Sequence, residues 1–127
     1  MENITKEIIA KLISNNKLKF KSTHTRLCLP IINRLFKKMC VGIKFSGIKV
    51  KNNLICDGHH RYIASILARF QLEIIPGIVT SAIIAIHWEL VVFEEEDWDT
   101  PAKINMLNEQ DADYNNISIA QIVELLK

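Results

Sequence analysis

The chain has 127 residues, of which 49% are hydrophobic and 24% charged, and its net charge is +2. This length and composition predict one domain spanning residues 1–127 that buries its own core without disulfide bonds. No apolar run approaches the roughly 20 residues that a membrane span needs, and the first residues lack the basic start and apolar centre of a signal peptide. We therefore expect a cytoplasmic protein with no membrane partner.

The charges are distributed unevenly along the chain. Residues 1–69 carry 14 Lys and Arg against 3 Asp and Glu, a net +11, whereas residues 70–127 carry 2 against 11, a net −9. A basic first half favours an anionic ligand there, although a basic face packed against an acidic one is the alternative.

The cysteines form no recognisable framework. Cys28, Cys40 and Cys56 are odd in number, lie in apolar contexts and lack Cys-x-x-Cys spacing. They are expected to be buried, reduced thiols rather than a disulfide or zinc framework.

The beginning of the chain predicts two amphipathic helices joined by a basic segment. Apolar residues recur at helical spacing over residues 4–14, and again from Pro30 to near Gly42. Between them, residues 17–22 alternate lysine with apolar residues. This alternation predicts an exposed edge strand or, alternatively, a basic arm that contacts a polyanion.

The middle of the chain predicts a hairpin followed by a helix. Asn52 and Asn53 tolerate positive φ and separate two short runs with strand character, residues 48–51 and 54–56. Apolar residues then recur at helical spacing over residues 62–70, which predicts a helix of about ten residues.

The last third predicts two strands and two helices. An apolar strand is expected near residues 73–79, and the period-two alternation of residues 84–93 predicts a second one. Thr100 and Pro101 are a typical N-cap and first-turn proline, and Ser118 is a suitable cap for a final short helix.

The most informative stretch lies between the hairpin and the helix that follows it. An apolar run ends in Asp57 and Gly58, and three polar residues, His59, His60 and Arg61, stand at the start of the next helix. A helix start presents free backbone N–H groups and the positive end of the helix dipole, and these side chains add further donors. The stretch therefore predicts a phosphate site.

Plainer roles for the same residues remain open. Asp57 could cap the helix instead of performing chemistry, and Arg61 could form an ion pair with the acidic residues 94–99. Adjacent histidines diverge in direction, so His59 and His60 are not expected to bind a metal ion. The acidic residues 94–99 are expected to form a solvated loop, with magnesium coordination beside a nucleotide as the alternative.

Residues 29–81, about two-fifths of the chain, resemble the ParB/sulfiredoxin superfamily. In that family a Gly-x-x-Arg turn at a helix start binds nucleotide phosphates, with cytidine triphosphate in ParB proteins and ATP in sulfiredoxins. Gly58, His60 and Arg61 match the Gly-Cys-His-Arg turn of sulfiredoxins. The resemblance implies an α+β fold, a small mixed sheet with packed helices, to which residues 82–127 add a strand and two helices.

The resemblance also limits the chemistry. His59 stands where sulfiredoxins carry their nucleophilic cysteine and ParB proteins a glutamate, so neither of those two activities is implied. The sequence of residues 57–61, Asp-Gly-His-His-Arg, is most similar to the corresponding motif in free-serine kinases and in uncharacterised members of the superfamily. In a kinase, Asp57 would accept the proton of an acceptor hydroxyl beside the bound phosphate.

Three functions follow as hypotheses. The first is a nucleotide-binding domain for ATP, ADP or CTP, with or without Mg²⁺, that acts as a phosphotransferase or nucleotide hydrolase through Asp57, with Gly58, His59, His60 and Arg61 on the phosphates. The second is a ParB-like domain that binds or cleaves DNA, suggested by the basic first half. The third is a non-catalytic module that binds a basic protein partner with its acidic second half.

Overall fold

The computed structural model describes residues 2–127, which form an α+β fold, as predicted. The helices are α1 (Lys6–Ser14), α2 (Leu29–Cys40), α3 (His59–Ala68), α4 (Pro101–Tyr114) and α5 (Ile119–Leu125). The strands are β1 (Arg26–Cys28), β2 (Ile48–Lys51), β3 (Leu54–Asp57), β4 (Ile74–Pro76) and β5 (Val92–Glu94). None of the helices in residues 2–127 is long and apolar enough to cross a membrane.

The strands form two small sheets. One has the order β3-β2-β4, in which β2 pairs antiparallel with β3 and parallel with β4. The other is a parallel pair of β1 and β5. The predicted hairpin between β2 and β3 is confirmed, with Asn52 and Asn53 at φ 53° and 61°, as a two-residue turn of this kind requires.

The main core lies between α2, α3 and the three-stranded sheet. Ile32 of α2, Ile63 of α3 and Ile48 of β2 are fully buried within one apolar cluster, which also takes in α1 and the β1–β5 pair. A second, smaller cluster of Ile43, Ala112 and Ile122 holds α4 and α5 against the loop after α2. The packing of α3 in the main core thus fixes the position of its first turn.

The predicted strand over residues 84–93 is wrong. A 3₁₀ turn at Trp88–Leu90 interrupts it, Ile86 forms only an isolated bridge to Ser22, and Val92 and Phe93 alone belong to a strand, β5. Leu90 and Val92 are 69% and 52% exposed, whereas Val91 and Phe93 are buried, so the apolar alternation does not mark one buried face. The buried indole of Trp88 donates to the Phe20 carbonyl at 2.8 Å, which anchors the turn to the core.

Three smaller predictions need correction. The segment 17–22 is not a full strand, because only Lys21 and Ser22 form bridges, to Leu54 and Ile86. The strand expected over residues 73–79 is shorter, as β4 covers only Ile74–Pro76. All three cysteines are free, but only Cys28 is buried, while Cys56 is half-buried and Cys40 is exposed at the end of α2.

Candidate functional site

The start of α3 is an uncapped helix terminus. β3 ends at Asp57, Gly58 adopts φ 100° at the cap position, and the first helical hydrogen bond runs from the Tyr62 N–H to the Gly58 carbonyl at 2.8 Å. Within residues 2–127, no backbone or side-chain acceptor binds the N–H groups of His59, His60 and Arg61. Three donors therefore stand ready for a ligand at the positive end of the helix.

Three of the five helices in residues 2–127 have a side-chain cap, whereas α2 and α3 have none. Threonine or serine hydroxyls cap α1, α4 and α5 through Thr5, Thr100 and Ser118, as predicted for the last two. Asp57 makes no such bond at α3, so the interpretation of this residue as a helix cap is wrong. Its carboxylate is instead 64% exposed at the edge of the site.

His59 is buried and fixed in one tautomer. It is only 2% exposed, and its Nε2 accepts a hydrogen bond from the Thr23 N–H at 3.0 Å. An accepting Nε2 carries no proton, so the single proton of the neutral ring is on Nδ1, which is buried and has no partner within residues 2–127. Burial, and next the neighbouring His24 ring, lower the pKa of His59 to about 3. His59 is therefore a neutral hydrogen-bond donor at pH 7.

His60 is held in the same way from the opposite side. Its Nε2 accepts from the Cys28 N–H at 2.9 Å, at the junction of β1 and α2, and its ring stands edge-on to that of Trp98, with the ring centroids 5.6 Å apart. Burial is the largest cause that lowers the pKa of His60 to about 4, with His24 next. Both histidines of the motif thus contribute neutral N–H groups rather than positive charge.

Arg61 supplies the charge of the turn. Its Nη2 donates to the Gly47 carbonyl at 3.1 Å and lies 3.6 Å from Asp57 Oδ2. Its Nε is buried and has no partner within the described chain. The predicted alternative, an ion pair with the acidic residues 94–99, is wrong, because Arg34 binds that segment instead.

A cleft of about 480 Å³ opens above this turn. Its floor is formed by Asp57 through Arg61 together with His24, whose ring stacks on His59 at 3.9 Å. Its walls come from α2, from the segment 44–46 and from α4. The sequence motif identifies Asp57 through Arg61, but not His24, Thr23 or the residues on the walls, because only the fold brings these distant residues to the site.

Two sets of ion pairs cross the cleft between α2 and the C-terminal part of the chain. Lys38, although 4% exposed, donates to Asp111 of α4 at 2.7 Å. Arg34 donates to Asp99 at 2.9 Å and also binds Asp97, whose pKa is lowered chiefly by that hydrogen bond. The acidic second half of the chain therefore neutralises part of the basic first half within the protein.

The acidic residues after β5 form a solvated loop, as predicted, with residues 95–98 exposed, and some of them also make specific contacts. Besides the pairs with Arg34, Glu94 lies 3.2 Å from Arg26 and accepts from the indole of Trp98 at 2.8 Å. No group of three or more His, Cys, Asp or Glu side chains within residues 2–127 is arranged to hold a metal ion.

Comparison of the chain with known protein families, with curated proteins and with solved structures found no match. The likeness to the ParB/sulfiredoxin superfamily consequently stays a prediction.

Proposed function

We propose that the first turn of α3 binds the phosphate groups of a nucleotide such as ATP, ADP or CTP. One observation carries the proposal. The only two buried side-chain polar atoms without a partner in residues 2–127 are His59 Nδ1 and Arg61 Nε, and both belong to this turn. An unsatisfied buried donor costs about 1–3 kcal/mol, so a protein rarely retains two of them in one helical turn without a ligand.

A phosphate group matches these donors in chemistry and number. Its oxygens accept several hydrogen bonds at once, and the turn offers the Nδ1–H of His59, the guanidinium of Arg61 and three backbone N–H groups. Neutral histidines suit this role at pH 7, since each ring donates while its Nε2 stays bound to the backbone. The resemblance of Gly58, His60 and Arg61 to a family phosphate turn supports the same ligand.

Asp57 gives the site a candidate catalytic base. Its carboxylate is mostly exposed and lies 3.6 Å from the Arg61 guanidinium, on the floor of the cleft. A carboxylate in this position can accept a proton from a hydroxyl or a water that attacks the phosphate. The chemistry proposed for the site is therefore phosphoryl transfer or nucleotide hydrolysis.

Replacing Arg61 by alanine is expected to weaken nucleotide binding about 10- to 100-fold, because charged hydrogen bonds contribute roughly 1.5–3 kcal/mol. Calorimetric titration of ATP, ADP and CTP, with and without Mg²⁺, measures this directly. Arg69→Ala is the matched control, since Arg69 is exposed at the opposite end of the same helix.

The Asp57→Asn variant tests the proposed base. It should still bind the nucleotides in the same titrations, but it should no longer release inorganic phosphate from them.

Two results would contradict the proposal. The first is the absence of binding by all three nucleotides to the unmodified protein. The second is an equal loss of affinity in the Arg61 and Arg69 variants, which would indicate a general effect of charge.

A row of lysines favours DNA binding as a second candidate function. Lys21 pairs with Leu54, and Leu54 pairs with Lys51, so the three side chains share one face of the sheet, with Lys49 two residues along the same strand. These lysines are exposed and form no ion pair within residues 2–127. Edge protection explains lysines on an outer segment but not those on β2, which is the central strand.

For this candidate we expect DNA affinity to fall steeply between 50 and 200 mM salt, with a slope of roughly −0.9 for each phosphate contacted in duplex DNA. Replacing Lys49 and Lys51 by glutamine should make that slope less negative by about 2, as measured by fluorescence anisotropy. Lys103→Gln, at an exposed position on α4, should leave it unchanged. Absence of DNA binding at low salt would exclude this candidate.

A further inference from the structure

The face of α4 above the cleft carries apolar side chains that the protein core does not use. Ile104, Leu107, Asp111 and Tyr114 recur at helical spacing and all line the cleft. Within residues 2–127, Ile104 and Leu107 pack against neither buried apolar cluster. The single buried residue of α4 is Ala112. Because apolar surface gains stability only when it is removed from water, this face is suited to a ligand.

Ion pairs hold α4 in place over the cleft. Lys38 of α2 binds Asp111 in the middle of the face, and Arg34 of α2 binds Asp99 just before the helix begins. These contacts connect the two walls and leave the cavity between them open. Together with the packing of Ala112, these pairs position α4 while Ile104 and Leu107 stay outside the core.

The wall opposite α4 carries apolar side chains beside charged ones. Ile31 and Leu35 of α2 line it with the aromatic ring of Phe45, and the ion-paired Arg34 and Lys38 lie on the same wall. The cleft therefore has two unlike parts: a floor rich in hydrogen-bond donors at the start of α3, and an upper part whose walls present apolar and aromatic side chains next to the ion pairs. A lone phosphate would satisfy the floor and leave the upper part of a 480 Å³ cavity filled only by water.

We infer that the upper part of the cleft binds the aromatic ring of a nucleoside, with Leu107 and Tyr114 of α4 as its recognition surface. The inference rests on the phosphate site proposed above and extends it, because a ring attached to a phosphate through a sugar joins the two unlike parts. Gln110 adds a polar group at this surface. Its side-chain amide has no hydrogen-bond partner within residues 2–127 and is free to bind the edge of the ring.

The test compares nucleoside triphosphates with inorganic tripolyphosphate on the full chain. Tripolyphosphate carries the anionic groups without the ring, so it probes the start of α3 alone. We expect ATP or CTP to bind at least about 10-fold more tightly than tripolyphosphate. Leu107→Ala and Tyr114→Ala should each weaken nucleotide binding about 5-fold and leave tripolyphosphate binding unchanged.

Met106→Ala is the control, because Met106 is an exposed apolar residue of the same helix that does not line the cleft. Gln110→Leu is a second test variant, because it removes the amide proposed to bind the edge of the ring. Gln110 is exposed, so this replacement leaves the core intact. Circular dichroism shows that each variant is folded before it is titrated.

The outcomes separate the two proposals. If tripolyphosphate binds as tightly as the nucleotides, or if the α4 variants weaken both ligands alike, the ring site is overturned while the phosphate site stands. If neither nucleotides nor tripolyphosphate bind, both are overturned. Selective loss of nucleotide affinity in the Leu107 and Tyr114 variants, but not in the Met106 variant, supports the ring site.

Discussion

Lowering the pH from 7 to 5 is expected to reduce the free energy of unfolding by roughly 4 kcal/mol, about 2 kcal/mol for each of His59 and His60. In the folded protein the pKa of His59 is about 3 and that of His60 about 4, whereas an unfolded histidine has a pKa near 6.5. Between these values the unfolded chain binds protons that the folded chain does not. Stability is therefore complete above about pH 6.5 and decreases as the pH falls towards 4.

Denaturation with urea at pH 7 and pH 5, followed by circular dichroism, measures this loss. His87 lies on an exposed part of the chain, so His87→Gln should retain the full pH dependence. A double variant with His59→Gln and His60→Gln should have a flatter profile, because the two rings responsible are absent. Equal unfolding free energies at the two pH values would show that these rings accept protons without disturbing the fold.

The geometry explains why protonation is costly at this position. Each Nε2 already accepts a backbone N–H, from Thr23 and from Cys28 respectively, so a second proton must displace that hydrogen bond. Thr23 lies just before β1, and Cys28 is its last residue. β1 lies beside the start of α3. The same two bonds that fix the histidines as ligand donors also attach β1 to the site, so acid is expected to affect binding and folding together.

Local sequence signals predicted the elements that carry the motif. Asn52 and Asn53 tolerate positive φ and adopt it in the turn, and Thr100 and Ser118 cap their helices by accepting from backbone N–H groups three residues away. Asp57 through Arg61 span the junction of β3 and α3, as predicted. Each of these features depends on residues that are close in sequence, which is why a pattern can reveal it.

Features that depend on distant residues could not be predicted in this way. The period-two pattern at residues 84–93 is real, but which of its side chains are buried depends on β1 and on the Phe20 carbonyl, and neither is encoded nearby. His24 and Thr23 reach His59 only because the segment before β1 runs beside β3. The apolar residues of α4 have the spacing of any amphipathic helix, so the sequence does not mark them as a binding surface. Only the structure shows that they line an open cleft.

Replacing Gly58 by alanine is expected to lower the free energy of unfolding by about 2–4 kcal/mol, through backbone strain and overpacking. At φ 100° an L-residue is strained, and the added Cβ would lie 2.6 Å from Cγ2 of Ile48 and 2.9 Å from Nη2 of Arg61. Ile48 is fully buried beneath the turn, so it cannot move aside without disturbing the core. Urea denaturation of the variant at pH 7 measures the loss.

Gly42→Ala separates the two causes of this loss. Gly42 has a similar φ of 90°, but an added Cβ there would meet no atom within 4 Å, so only the backbone strain applies and a loss of about 1–2 kcal/mol is expected. The difference between the two variants then measures how tightly the turn packs on β2. Equal losses would mean that Ile48 yields and the turn is loosely held. A larger loss at Gly58, together with weaker phosphate binding, would show that the close approach of the turn to β2 also positions Arg61 for its ligand.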